Sequence, residues 1–141
     1  MELRSSTEWV LLAAGLIFLW ALVLGVWKYR QMATSEDHLA HPYVDIAHRA
    51  ALLYSFAALL LATFVELSGW SEAVNLIAAG AVIFFFVAAV ISYVVHGYLR
   101  DTTNQLADPV RGTHAYMVAL ITAEIAGTAV LIAGFIDARI L

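Results

Sequence analysis

Residues 72–99 of the chain read EAVNLIAAGAVIFFFVAAVISYVVHGYL, and this stretch decides the fold. After Glu72 it contains no Asp, Glu, Lys or Arg. It is longer than the roughly 20 mostly apolar residues that a helix needs to cross a bilayer. Backbone N–H and C=O groups inside lipid must be paired within their own segment, so a span of this kind is an α-helix. The stretch therefore predicts a transmembrane helix.

Three further apolar windows accompany this stretch, at about residues 8–27, 44–67 and 114–140. The first is longer than the apolar core of a signal peptide, which has about 7–15 residues. Lys28, Tyr29 and Arg30 follow it instead of a cleavage site, so we interpret it as a true span. The sequence thus predicts an all-α fold, a four-transmembrane-helix antiparallel bundle, as a single integral membrane domain over residues 1–141.

The composition indicates whether the surface of the protein faces water or lipid. Hydrophobic residues make up 63% and charged residues 13% of the chain, against about 45–50% and about 25% in soluble domains. So few polar residues cannot cover a water-facing surface, and the lipid bilayer is the expected partner. The formal net charge of −4 argues against nucleic acid. The absence of cysteine excludes disulfides, thiolate metal sites and thiol nucleophiles.

The positive charges predict an orientation. Arg4 and Arg139 lie toward one side of the bundle, but most Lys and Arg residues lie beside the first and third loops: Lys28, Arg30, Arg49, Arg100 and Arg111. Positive residues accumulate on the cytoplasmic side. We therefore expect a multi-pass protein of the cell (inner) membrane, with cytoplasmic first and third loops and both termini outside. Pro42 suits the start of the second helix, and Ser71 is a candidate N-cap of the third.

All five histidines fall toward the first and third loops: His38, His41, His48, His96 and His114. His48 lies one turn inside the second helix, where neutral imidazole suits iron, copper or zinc; alternatively it bonds water or Asp45. His38, His41, Asp45 and His48 share one face of a continuous helix and could bind zinc or copper. Pro42 disfavours the helical conformation at His41, which favours a hydrated interfacial segment instead.

Two further features of the helices carry polar chemistry. Tyr93 and His96 are three residues apart and share a helix face, either to hold a substrate oxygen or a haem edge or as ordinary interfacial side chains. Glu124 is the deepest ionisable residue, and such a group costs about 2.5–3.5 kcal/mol near a helix centre on insertion scales. It is therefore either protonated or offset by a partner, for which the candidates are Asn75, Tyr54, Thr122 and a residue from a neighbouring subunit.

Two short stretches carry a resemblance to a known family. IAHRAALLY (46–54) begins the second helix, and SYVVHGY (92–98) lies near the end of the third. They resemble the corresponding stretches of the small four-helix membrane isomerases, namely styrene oxide isomerase and the hydroxylaminobenzene mutases. The resemblance implies that His48 is the axial ligand of a haem b iron and that Tyr93 is an active-site tyrosine. The family has an asparagine where Tyr54 stands and an acidic residue where Ala89 stands, so haem binding carries over better than the substrate.

The resemblance also implies an activity. In those isomerases ferric iron acts as a Lewis acid on an epoxide oxygen, and a hydride shift gives an aldehyde. We therefore expect a haem b-binding membrane isomerase-like protein for a small apolar epoxide or related substrate. Tyr93 and Tyr54 are the candidate catalytic residues, and His48 and His96 are the candidate cofactor-binding residues. Family likeness further implies a homo-oligomer, as a trimer.

Two alternatives belong to other functional classes. One is a non-catalytic accessory subunit of a larger membrane oxidoreductase complex, which the small size and short hairpins favour. The other is a copper- or zinc-binding membrane protein that uses His38, His41, Asp45 and His48. The sequence does not name the substrate.

Overall fold

The computed structural model describes residues 2–141, and within this range it contains four long helices and no strand. They are α1 (Ser5–Thr34), α2 (Pro42–Leu67), α3 (Glu72–Leu99) and α4 (Thr113–Arg139). Each is long and apolar enough to cross a bilayer. The predicted all-α architecture with four membrane-spanning helices is therefore confirmed.

The starts of α2 and α3 follow local chemistry. Pro42 is the first residue of α2, where its missing N–H costs nothing. His41 caps this helix, since its ring Nδ1 accepts a hydrogen bond from the Tyr43 N–H at 3.3 Å. Ser71 caps α3 through its Oγ, which accepts from the Val74 N–H at 3.4 Å. Both predicted helix starts are confirmed.

The first helix is longer than the hydropathy pattern predicts. It runs from Ser5 to Thr34 instead of about 8–27, straight through Lys28 and Arg30. Hydropathy marks only the part of a helix that lies in lipid, whereas the i→i−4 hydrogen bonds continue into water. The helix ends at Ser35, whose N–H still donates to the Gln31 carbonyl at 3.0 Å. The bounds of α3 match the prediction, and those of α4 differ by one residue at each end.

The four helices are not equivalent in the bundle. Helices α2 and α3 pack against each other, α1 contacts both, and α4 contacts both, whereas α1 and α4 do not touch in the described chain. One core cluster, centred on Leu61, Val82 and Leu131, lies toward the 68–71 turn. A second, centred on Ala21 and Ala51, lies toward the first and third loops. We call these two ends the turn end and the loop end.

The turn between α2 and α3 is fastened to α4. Gly69 N–H donates to the Gly134 carbonyl at 2.9 Å, and the Trp70 indole N–H donates to the Val130 carbonyl at 2.8 Å. A Cβ at Gly134 would overlap Ser68 and Trp70, so only glycine allows this close approach.

The same turn is also fastened to the start of α1. The Arg4 guanidinium donates to the Ser68 carbonyl at 2.9 Å, and the Arg4 backbone N–H donates to Glu66 at 3.2 Å. Thr7 donates to the same Glu66 carboxylate at 2.6 Å. The turn end is therefore closed by polar contacts from α1 and α4, which leaves the loop end as the place for a site.

Candidate functional site

The ring of His48 is held against α1. Its Nδ1 lies 2.9 Å from the carbonyl oxygen of Ala21. A carbonyl only accepts hydrogen bonds, so Nδ1 carries a proton, and in the neutral form of the ring Nε2 then keeps its lone pair. Nε2 makes no hydrogen bond with any residue of the described range. The side chain is half-buried, with one nitrogen fixed and the other free for a ligand.

A glycine on α1, Gly25, leaves the space that the His48 ring occupies. A Cβ at Gly25 would lie 2.8 Å from Cε1 and 3.2 Å from Nδ1 of His48. Gly25 and Ala21 are one turn apart on α1 and together form the seat of the imidazole. Sequence reasoning singled out His48 but missed this seat. Two small residues at i and i+4 in a spanning helix are the signal that marks such a close approach.

Asp45 is not the partner of His48. Its carboxylate lies 2.6 Å from the Lys28 ammonium and 3.3 Å from the Arg49 guanidinium. Asp45 therefore does not hydrogen-bond His48, and the alternative in which Asp45 holds this histidine is wrong. Instead, Asp45 forms a cluster with the cations Lys28 and Arg49 at the loop end of the α1–α2 contact.

The four residues of the proposed zinc or copper stripe have separate partners. His38 Nδ1 lies 3.4 Å from the Met32 carbonyl, and His41 caps α2 from outside the helix, as Pro42 predicts. Asp45 is engaged by Lys28, and His48 faces α1. Within residues 2–141 no group of three or more His, Asp or Glu side chains is arranged to hold a metal ion. The stripe is therefore not assembled here.

Tyr93 and His96 do share a face, and both rings pack on Tyr43. The centroid distances to Tyr43 are 5.9 Å for Tyr93 and 5.2 Å for His96. Tyr43 is buried, and its hydroxyl accepts the Gln105 N–H at 2.7 Å. His96 Nδ1 lies 2.9 Å from the Asp101 carboxylate, and this hydrogen bond lowers the pKa of Asp101. The pair therefore anchors the third loop, through a tyrosine that sequence reasoning missed.

Tyr54 lies on the side of α2 that packs on α3. Its ring stacks on Phe86 of α3, with centroids 4.2 Å apart and planes 7° apart. Tyr93 of α3 and Tyr116 and Glu124 of α4 lie within electrostatic range of one another, and Tyr54 is within range of all three. The structure thus brings Tyr54 and Tyr93 together and adds two residues of α4. We call Tyr54, Phe86, Tyr93 and Tyr116 the interior aromatic cluster, and Glu124 lies beside it.

His48 stands apart from this cluster in one protomer. His48 and Tyr54 are six residues apart, which places them about 120° apart around the helix at about 100° per residue. His48 contacts α1, whereas Tyr54 contacts α3. The predicted cofactor ligand therefore lies at the α1–α2 contact, whereas the predicted catalytic tyrosines, Tyr54 and Tyr93, lie at the α2–α3 contact.

Comparison with known proteins adds no assignment to this site. No protein-family model matches the chain, and neither the curated proteins nor the solved structures contain a significant match.

Proposed function

We propose that the chain is a haem b-binding integral membrane protein of the isomerase type, with His48 as the axial ligand through Nε2. The observation that carries this proposal is the 2.9 Å hydrogen bond between His48 Nδ1 and the Ala21 carbonyl. Histidines that bind metals usually donate their other ring N–H to a carbonyl or carboxylate, which fixes the tautomer and the ring orientation. Imidazole is also a common axial ligand of haem iron.

The surroundings of His48 suit a haem in their chemistry. The α1–α2 contact is lined by apolar side chains, among them Ile17, Leu24 and Leu52, which fit an apolar macrocycle. Lys28 and Arg49 stand at the loop end of this contact, where cations fit the two carboxylates of haem b. Both cations now share the single carboxylate of Asp45, so positive charge exceeds negative charge at this point.

The bound ferric haem would supply a Lewis acid for the oxygen of a small apolar epoxide or related substrate. The chain itself contributes phenol groups at Tyr93 and Tyr54, which can donate a hydrogen bond to that oxygen and orient it. His48 contacts α1, whereas the rings of these phenols pack at the α2–α3 contact. A substrate that meets both therefore belongs at a boundary between protomers of a homo-oligomer, a trimer by family resemblance. His96 remains a second candidate for a cofactor-binding residue.

The Lys and Arg distribution supports an orientation for this protein. We place it in the cell (inner) membrane, with the loop end on the cytoplasmic side and both termini outside. The site at His48 then lies near the cytoplasmic surface.

An absorption spectrum tests the proposal directly. Full-length protein purified from haem-replete cells should show a Soret band, and His48→Ala should lose it because the axial ligand is gone. His114→Ala is the matched control, since it removes another histidine of the loop end, and it should keep the band. A colourless wild-type preparation, or a band that survives in His48→Ala, would refute the assignment.

Turnover tests the isomerase part separately. Wild-type protein should convert a small aromatic epoxide to the aldehyde. Tyr93→Phe should slow this conversion by about tenfold or more while the Soret band stays, because one hydrogen bond to developing negative charge is lost. If haem-loaded wild type shows no turnover, the isomerase part of the proposal is wrong, whereas the haem-binding part is unaffected.

A further inference from the structure

A cavity of about 370 Å³ lies at the loop end of the bundle, where α3 ends and α4 begins. Ligand sites for small molecules usually measure about 300–1,000 Å³. The end of α3, the start of α4 and the third loop between them line this cavity. His48, Tyr54 and Tyr93 are not among its described lining residues, so it is a different place from the proposed haem site.

The wall of this cavity is apolar at depth and polar near the loop. Helix α3 contributes Ala88 and Ile91 deeper in the bundle, and Ser92 and His96 nearer to the loop. Ala88 and His96 are about two helical turns apart, so the cavity extends along the helix axis. Helix α4 runs in the opposite direction and adds Met117 at depth. The cavity therefore fits an amphipathic molecule, whose apolar part lies between the helices and whose polar part lies beside the loop.

Two opposite charges stand at the polar end of the cavity. Asp108 and Arg111 belong to the third loop, on either side of Pro109 and Val110, and both line the cavity. They do not pair with each other, and within residues 2–141 neither takes part in any ion pair. The Thr102 hydroxyl donates to the Asp108 carboxylate at 3.4 Å, but a neutral hydroxyl does not cancel the charge. A separate cation and anion in one wall are complementary to a ligand that carries both charges.

The loop that carries these charges is fastened to the helices. The Gln105 N–H donates to the Tyr43 hydroxyl of α2 at 2.7 Å, and the Gln105 side-chain carbonyl accepts from Ser92 of α3 at 3.2 Å. The backbone N–H of Asp108 donates to the Asn104 carbonyl at 3.3 Å. These contacts hold the loop in place without a ligand, which lowers the ordering cost of binding.

We propose that this cavity binds a zwitterionic amino acid with an apolar side chain. The carboxylate of the ligand pairs with the Arg111 guanidinium, whose planar donors suit a carboxylate, and its ammonium pairs with Asp108. The apolar side chain lies against Ala88, Ile91 and Met117, where it leaves water.

Both charges of the ligand are needed for this match. A simple carboxylate would leave Asp108 unpaired beside it, and a simple amine would leave Arg111 unpaired. An amino acid carries both charges and an apolar group in one small molecule, and it leaves the net charge of the site unchanged. This site does not depend on His48 or on a haem.

Binding of L-phenylalanine to the full-length protein in detergent, measured by equilibrium dialysis, tests the proposal. Wild type should prefer it by about fivefold or more over hydrocinnamate, which lacks the ammonium, and over phenethylamine, which lacks the carboxylate. Glycine should bind more weakly than L-phenylalanine, because it has no side chain to place against the apolar wall.

Variants of the two charged residues assign each contact. Arg111→Gln should lower the affinity for L-phenylalanine by about fivefold or more and should remove its advantage over phenethylamine, because the carboxylate has lost its partner. Asp108→Asn should in the same way remove the advantage over hydrocinnamate. Arg30→Gln and Glu36→Gln make the same charge changes at exposed positions of the loop end and should bind as wild type does.

Several results would overturn the proposal. They are absent binding of L-phenylalanine, equal binding of the zwitterion and either analogue in wild type, and unchanged binding in either charge variant. His48→Ala should bind L-phenylalanine normally, and a loss there would place the ligand at the haem site instead. Asp108 and Arg111 are exposed, and elution volume and thermal unfolding check that their variants are folded. The comparison of the three ligands on wild type needs no variant.

Discussion

At the scale of the single residue, the orientation of His48 depends on an atom that α1 lacks. Gly25 has no Cβ, and the imidazole occupies that space while Nδ1 donates to Ala21. Any side chain at residue 25 would have to displace the ring. The tautomer, the ring plane and the free Nε2 thus follow from one glycine on a neighbouring helix.

This dependence makes Gly25→Ala a sharp test. The new Cβ would lie 2.8 Å from Cε1, so the ring must move and its bond to Ala21 weakens. We expect the variant to lose about 1–3 kcal/mol of stability from overpacking, measured by thermal unfolding in detergent. If haem binds, its Soret band should also weaken or shift.

Gly15→Ala is the control for this substitution. It lies on the same helix, and an added Cβ there meets nothing within 4 Å. Alanine is a better helix former than glycine, so this variant should be as stable as wild type or more stable by up to about 1 kcal/mol. Equal effects of the two substitutions would contradict the seat that we assign to Gly25.

The sequence identified His48 as a candidate ligand, but it did not predict that the ring packs on Ala21 and Gly25, and the reason is physical. Hydropathy fixes which residues lie in lipid, but it does not fix how far each helix is rotated about its own axis. The contact of His48 with Ala21 and Gly25 depends on that rotation. The closeness of Tyr54 to Glu124 depends on it too, and Tyr54 was one of the four candidate partners from the sequence, but no hydrogen bond joins the two side chains.

At the scale of the element, the helix ends follow two different rules. The starts of α2 and α3 were predictable because Pro42 and Ser71 act through their own backbone and side chain. The end of α1 was not, because Lys28 and Arg30 are good helix formers that mark the membrane surface without stopping the helix.

The cap of α2 is a histidine, which makes the start of this helix sensitive to pH. Burial, assisted by the nearby Arg100 charge, lowers the pKa of His41 below its usual value. Its folded-state pKa is thus below the unfolded value of about 6.5. The stability it contributes is present above that value and is lost as the pH falls through the folded pKa.

We therefore expect the unfolding temperature to fall between about pH 7.5 and about pH 5.5, partly through His41. His41→Asn keeps an N-cap acceptor and should reduce this fall. His38→Asn removes an exposed histidine of the same loop and should leave the pH dependence as it is in wild type. An undiminished fall in His41→Asn would show that the cap is not the sensitive group.

At the scale of the whole molecule, the two ends of the bundle differ. The turn end is fastened by Arg4, Trp70 and Gly134. The loop end holds His48, the Tyr43 stack and the longer connections. Composition and the apolar windows predicted the four spans, although α1 extends beyond its window at both ends. The contrast between the ends was visible in the sequence only as the uneven placement of the histidines.

The proposed orientation can be checked by single cysteine substitutions in the otherwise native chain, because the chain contains no cysteine that would have to be removed first. Glu36→Cys lies in the exposed first loop, and Glu2→Cys lies at the exposed amino terminus. A membrane-impermeant thiol reagent added to intact cells should label Glu2→Cys and should reach Glu36→Cys only after the membrane is opened. Labelling of both from the same side would contradict the four crossings, and the reverse pattern would invert the orientation.

The turn at residues 68–71 also bears on the order in which the protein is made. Its hydrogen bonds from Gly69 and Trp70 end on carbonyls of α4, which is synthesised after α2 and α3. Until α4 enters the membrane, those two N–H groups lack their acceptors and Gly134 has not filled the space beside Trp70. The α2–α3 hairpin therefore lacks these contacts until α4 is in place beside it.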